Sequence, residues 1–366
     1  MKILFFAESL TSGGKERRIL ELISYLTHHT DHEVSLVLTE HEIYYTAVYD
    51  LGIKIKVFKR RFLKYDPRLF ISFSKYCREF SPDIIHTWGK MTTFYAIPAK
   101  IFCKIPMVSN LIADTNKRFK RFSIDSFFFK AGIFYSSSIL ANSKAGLSAY
   151  DIKTPKAAVI YNGVNLKRFE PKYDIHKEKE SLGIKTPYVV VMVAIFSVLK
   201  DYNLFVDVAK KIEEMRDDVT FVGVGNGFDY HRIQQKIKDE KVHNVLLPGY
   251  KNNVEPIIAS SDIGLLCTFS EGISNSIIEY MGLGKPVITT DTIGGSREIV
   301  IQGETGFIIN RNAEEIIKSI NLLLDDKELR DSMGTKGKQV IASKFSIDRM
   351  GKEFENVYSE VVLNKE

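Results

Sequence analysis

Two carboxylates separated by seven residues, Glu271 and Glu279, stand on either side of Ser274, Asn275 and Ser276. Ser274 and Asn275 are residue types that accept hydrogen bonds from the first free N–H groups of a helix, so a helix is expected to open there. Gly282 and Gly284 close it, and Lys285-Pro286 prevents its continuation. The start of such a helix carries roughly half a positive charge and several unpaired N–H donors, which suits an anion. Carboxylates do not bind phosphate, because like charges repel, but they accept hydrogen bonds from sugar hydroxyls. An anion-binding helix end beside two hydroxyl acceptors describes a ligand that is both phosphorylated and polyhydroxylated, as a nucleotide sugar is. Taken singly, Glu271 reads as a solvated loop residue and Glu279 as a helix-dipole partner; the joint spacing carries the chemistry.

The elements that must position these side chains show as apolar runs bounded by turns. Asp262–Cys267 reads as a buried strand ending just before Glu271, and Val287–Thr290 as another, followed by a Gly294-Gly295 turn and a helix start. Ligands of open α/β sheets bind at the carboxyl ends of strands, which is where Glu271 falls. Tyr188–Ala194 is a fully apolar strand that leads into a helix from Leu204. Lys200 lies at that crossover, as a point cation able to neutralise phosphate. At the start of the chain, strand Lys2–Ala7, the Gly13-Gly14 turn and the amphipathic helix Arg17–Leu26 make a loop whose backbone can approach an anion closely. Ile84–His86 reads as a short strand with His86 at its carboxyl end, an acceptor-side candidate. Gly223-Val-Gly225-Asn-Gly227 fails as a dinucleotide fingerprint because Phe228 stands where the third glycine belongs, which disfavours a dehydrogenase.

Glu271-x7-Glu279, followed by Gly284-Lys-Pro-Val287 and Gly294-Gly-x-x-Glu298, resembles the signature of the GT4 family of retaining glycosyltransferases, which have the GT-B fold. The resemblance covers nearly the whole chain and is most specific from Lys200 to Glu298. It implies an α/β protein with two Rossmann-like domains facing each other across a cleft and a C-terminal helix crossing back to the first. It also implies that Glu279 holds the ribose hydroxyls and that Glu271 contacts the donor sugar. Lys200, Gly13, Gly14 and the helix start at Asn275 and Ser276 would meet the diphosphate. Gly249–Val254, with Tyr250 and Val254, would touch the base through the backbone. Glu271, Lys200 and His86 form the expected catalytic set.

The implied reaction transfers a sugar, with retention, from a UDP- or GDP-linked donor to a hydroxyl acceptor. The nucleotide sugar is then a substrate and no cofactor is expected; with no Asp-x-Asp pair in the chain, no catalytic metal is expected either. Two departures stand out. Ile195 occupies the place of a family arginine, and Asn110-Leu-Ile-Ala-Asp114 stands where many members carry a second histidine, with Asp114 a substitute candidate. An epimerase of the same fold, or a degenerate nucleotide-sugar-binding protein, are the alternatives.

A chain of 366 residues exceeds one comfortable core, so two domains are expected, over residues 1–168 and 169–345, with a tail helix over 346–366. The polar stretch Asn165–Thr186 reads as the linker. Cys77, Cys103 and Cys267 are scattered without metal spacing, which fits a reducing cytoplasmic compartment. No uninterrupted apolar run reaches about twenty residues, so no transmembrane helix is expected. Residues 1–170 hold 26 Lys+Arg against 15 Asp+Glu, whereas residues 171–366 hold 25 against 30. The first half should therefore meet something anionic. Basic and aromatic residues interleave in Lys59–Lys64 and Lys117–Lys130, as in segments that lie in a headgroup layer. No nucleic-acid motif accompanies them. The expectation is peripheral binding at the inner membrane face near a saccharide or lipid-linked acceptor, in bacterial surface polysaccharide or glycolipid synthesis.

Overall fold

The computed structural model describes residues 1–11, 13–61, 65–112, 123–292 and 294–364. The chain divides into two compact units, one of Met1–Val164 with Ile347–Glu366 and one of Asn165–Ser346. The first unit begins β1 (Lys2–Ala7), α1 (Gly14–His29), β2 (Glu33–Leu38), β3 (Lys54–Val57), α2 (Arg68–Phe80) and β4 (Ile84–Trp88). It continues α3 (Lys90–Cys103), β5 (Met107–Ile112), α4 (Ile124–Tyr135), β6 (Ser138–Ala141), α5 (Lys144–Ala149) and β7 (Ala157–Val159). The second unit opens with a 3-10 turn, Leu166–Phe169, then α6 (Ile175–Ser181), β8 (Tyr188–Val193), α7 (Tyr202–Glu213), β9 (Val219–Val224), α8 (Tyr230–Asp239) and β10 (Val245–Gly249). It is completed by α9 (Glu255–Ala259), β11 (Ile263–Leu266), α10 (Asn275–Gly282), β12 (Val287–Thr290), α11 (Ser296–Ile299), β13 (Gly306–Ile309), α12 (Ala313–Asp325) and α13 (Lys327–Lys344). The last helix, α14 (Ile347–Leu363), returns to the first unit.

Both sheets are parallel, in the orders β3-β2-β1-β4-β5-β6-β7 and β10-β9-β8-β11-β12-β13. Parallel pairs need long crossovers, and the helices that make them cover both faces, so strands such as β1 and β8 are continuous apolar runs. Ile3 to Ala7 and Val189 to Met192 are accordingly wholly buried. In each sheet the chain starts in the middle, winds to one edge, then restarts toward the other. The direction of winding reverses between β1 and β4 and between β8 and β11, and crevices form outside the carboxyl ends of such strands.

One face of the first sheet is closed by α1 together with α14, whose Met350, Phe354 and Tyr358 join Phe5, Ile19, Leu22 and Trp88 in a single core. Gly351 lies so close to Tyr25 that a Cβ there would sit 2.1 Å from the ring. The Ile347 N–H bonds the Val164 carbonyl at 3.0 Å, which ties the start of α14 to the end of the first unit. The opposite face is filled by Phe6, Phe73, Tyr95 and Met107 under α2, α3 and α4.

Several elements differ from the sequence reading. The stretch Asn165–Thr186, expected as a linker, folds as the 3-10 turn and α6 within the second unit. Strand β4 runs on to Trp88, so His86 lies in its middle rather than at its end. Asp114 lies outside the described residues, as do Phe62–Lys64 and Lys117–Phe122 of the two basic-aromatic segments. Among the described residues, no helix is long and apolar enough to cross a membrane.

Candidate active site

The second sheet builds its site at its switch point. Beyond β8 and β11 the chain forms a short antiparallel ladder in which Lys200 pairs with Thr268. The Phe269 N–H donates to the Leu199 carbonyl at 2.9 Å and the Asp201 N–H to the Cys267 carbonyl at 3.0 Å. This ladder zips the two loops together and brings the Lys200 ammonium into direct contact with the Glu271 carboxylate. Nζ also lies 3.5 Å from the Thr268 hydroxyl. Burial pulls the Lys200 ammonium down to about 8, which leaves it mostly charged at neutral pH. Asp201, on the other side of the ladder, caps α7 by accepting from the Leu204 N–H at 3.1 Å. It also accepts from Arg311 Nε at 3.0 Å, and the Arg311 guanidinium lies 3.8 Å over the Phe269 ring.

The Glu271 loop is held from below by Gly294-Gly295. A Cβ on Gly294 would stand 2.2 Å from the Glu271 carbonyl oxygen, and one on Gly295 would stand 2.2 Å from that of Gly272. The Gly295 N–H bonds the Glu271 carbonyl at 3.2 Å. The glycine pair is thus required by close approach of two backbones.

Helix α10 starts at Asn275 as expected, but Ser274 makes no side-chain capping bond. The helix is fixed instead to the end of β8. The Ser276 hydroxyl donates to the Val193 carbonyl at 2.6 Å, and the Val193 N–H donates to the Tyr280 hydroxyl at 2.6 Å. The Tyr280 ring occupies space left by Gly264, where a Cβ would fall 2.3 Å away. The Ser276 side chain is therefore engaged in seating the helix. Glu279, further along α10, is 4% exposed and meets Arg168 of the 3-10 turn, Nη2 to Oε1, at 3.2 Å. The same guanidinium nitrogen contacts Glu255 at the start of α9, which is also 4% exposed. Just before α9, Val254 is buried at its N-cap position, whereas Tyr250, after β10, is about half exposed.

In the first unit, Gly13 caps α1 and Gly14 is its first residue. A Cβ on Gly13 would lie 2.1 Å from Oε2 of Glu16, so the acid of the first turn folds back onto the glycine. The positive end of this helix is met by its own carboxylate, with Lys15 Nζ 3.2 Å from Glu16. His86 is wholly buried beneath α14, its Nδ1 2.6 Å from the Tyr358 hydroxyl and its ring beside Phe5, Trp88 and Phe354. Burial holds this imidazole well below its usual value, so it is a neutral core ring. Its expected place in a crevice at a strand end is thereby corrected.

Two family profiles match the chain, one described as Glycosyltransferase Family 4 over residues 12–168 and one as Glycosyl transferases group 1 over residues 174–340. The chain belongs to the family 4 glycosyltransferases. It is 25% identical to an N-acetylgalactosamine-N,N'-diacetylbacillosaminyl-diphospho-undecaprenol 4-alpha-N-acetylgalactosaminyltransferase of Campylobacter jejuni, over 92% of this chain and 94% of that one. It is 30% identical to a UDP-Gal:alpha-D-GlcNAc-diphosphoundecaprenol alpha-1,3-galactosyltransferase of Escherichia coli, over 56% of this chain and 53% of that one. In structure it is similar to Anabaena Alr3699/HepE, solved in complex with UDP, with a TM-score of 0.87 and 21% identity over 98% of this chain and 100% of that one. The two parallel-sheet units and the returning α14 are the GT-B fold.

As a family 4 glycosyltransferase, the chain brings together Lys200 and Glu271, both visible in the sequence. Three further residues of the region, Arg168, Glu255 and Arg311, carry no motif in the sequence. Arg168 lies 87 positions from Glu255 and 111 from Glu279, so no local spacing marks the cluster. The one available signal was that a helix-borne acid buried beside a ligand needs a cation.

Proposed function

We propose that this protein transfers a sugar, with retention, from a UDP-linked donor to a hydroxyl of a lipid-linked saccharide. The observation that carries the reading is the contact of Lys200 with Glu271 at the switch point of the second sheet. Each charge of that pair offsets the other. A diphosphate arriving at Lys200 releases Glu271 to accept from the donor sugar's hydroxyls. Asn275 and Ser276 add backbone N–H groups at the start of α10, and the leaving diphosphate gathers charge as the glycosidic bond breaks, where fixed donors stabilise it most. Glu279 takes the ribose, and Tyr250 and Val254 border the base. Gly13 and Gly14 remain candidates for anion contact from α1 once Glu16 is displaced. His86 is left out of the chemistry because no acceptor reaches its ring.

The named relatives that act on diphospho-undecaprenol substrates support a lipid-linked acceptor. The first unit supports a membrane surface. Ile71, Phe102, Phe127 and Phe134 on α2, α3 and α4 are each more than 60% exposed, and Lys75, Lys104 and Lys130 are exposed among them.

A thermal-shift comparison of UDP, GDP and ADP tests the donor, with the largest stabilisation expected from UDP. No shift with any of the three rejects the reading. A second reading, a nucleotide-sugar-binding protein without turnover, is favoured by Ile195, which is 58% exposed where the family arginine is expected. Tight donor binding without UDP release, with undecaprenyl-diphosphate glycans as acceptors, would select it.

A further inference from the structure

We infer that Arg168 is a positioning residue that sets the Glu279 carboxylate for the ribose diol, with Glu255 as its anchor. The inference rests on the assignment of Glu279 to the ribose. A carboxylate that is 4% exposed is costly unless a cation and hydrogen bonds accompany it. Arg168 supplies the cation, with Nη2 3.2 Å from Glu279 Oε1 and in contact with Glu255. The guanidinium donors are fixed in a planar group, so Nη2, itself anchored on Glu255, restrains the Glu279 carboxylate at Oε1. A carboxylate already restrained at one oxygen pays less ordering cost when it accepts hydrogen bonds from a vicinal diol.

The arginine itself is held in place. Its backbone carbonyl accepts from the Tyr173 hydroxyl at 2.8 Å. The next residue, Phe169, packs on α10 where Gly282 has no side chain; a Cβ there would lie 2.3 Å from the ring. Successive residues of one turn thus dock on the helix that carries Glu279, one by charge and one by shape. Glu255 directly follows Val254, so the guanidinium also ties the segment assigned to the base to the acid assigned to the ribose. Formally the three side chains carry one excess negative charge. That favours hydroxyl donors over phosphate and leaves the diphosphate to Lys200.

The test is the ratio of affinities for UDP and 2′-deoxy-UDP, measured by titration calorimetry. The unmodified protein is expected to prefer UDP by about tenfold or more. In Glu279→Gln that preference is expected to collapse toward one. In Arg168→Met it is expected to collapse similarly, in Arg168→Lys to return in part, and in Arg168→Met combined with Glu279→Gln to fall no further. Arg168 acting only as a fold-stabilising residue lowers both affinities together and leaves the ratio unchanged. An Arg168→Met protein that keeps the full preference while Glu279→Gln loses it overturns the inference and leaves the ribose assignment standing. A Glu279→Gln protein that keeps the preference overturns both. Should Arg168→Met fail to fold, Arg168→Lys and Glu255→Gln carry the same measurement, and an unaltered ratio in both overturns the inference.

Discussion

Lys200 and Glu271 lie 71 positions apart and touch because two loops pair for a few residues past the ends of their strands. The buried ammonium titrates at about 8, charged below that pH and neutral above it. An anionic diphosphate prefers the charged form, so UDP affinity should fall as pH rises through 8. Calorimetry at pH 7, 8 and 9 checks this, and Lys200→Met should bind more weakly at pH 7 with a flatter profile. Glu279→Ala should weaken UDP binding by about tenfold or more while circular dichroism stays unchanged. Gly295→Ala pushes a methyl into the Gly272 carbonyl, and such overpacking costs about 1–3 kcal/mol. The melting temperature should fall by several degrees, and turnover should fall further because the Glu271 loop is displaced.

At the scale of elements, most strands were legible because parallel strands buried on both faces are unbroken apolar runs. Ile3–Ala7 and Tyr188–Val193 follow that pattern from end to end. Helix α3 carries no clear helical period in the sequence, since its apolar residues circle the whole helix and Pro98 lies inside it. The polar stretch after Val164 hid a turn whose purpose is tertiary: Arg168 and Phe169 are there to meet α10. His86 lies inside β4 and not at its end because Thr87 and Trp88 extend the strand by two residues, and the packing of α14 on it has no local signature. Tyr358→Phe tests that packing. It removes the hydroxyl from buried His86 Nδ1, at about 1–3 kcal/mol, and should leave UDP affinity unchanged. Chemical denaturation alongside calorimetry separates the two effects.

At the scale of the molecule, positive charge is concentrated in the first half of the chain, whose unit also bears the exposed Phe102, Phe127 and Phe134. Attraction of lysines to an anionic surface is short-ranged and screened by salt. Co-sedimentation with phosphatidylglycerol vesicles at low salt should capture the protein, and zwitterionic vesicles should not. Replacing Lys75, Lys104 and Lys130 together by Gln should reduce capture on the order of a hundredfold. Equal partition to both vesicle types would remove the electrostatic part of the reading.

Because α14 follows the whole second unit in the chain yet completes the core of the first, the ribosome finishes the two in reverse of their starting order. The nascent first sheet waits, with one side of Phe5 and Trp88 uncovered, while some 180 further residues are translated and can collapse on their own. Domains ordinarily mature from the amino end as they emerge. Here the amino-terminal half is the last to mature, and a chaperone that shields bare apolar surface during synthesis should be found on it until Tyr358 leaves the exit tunnel.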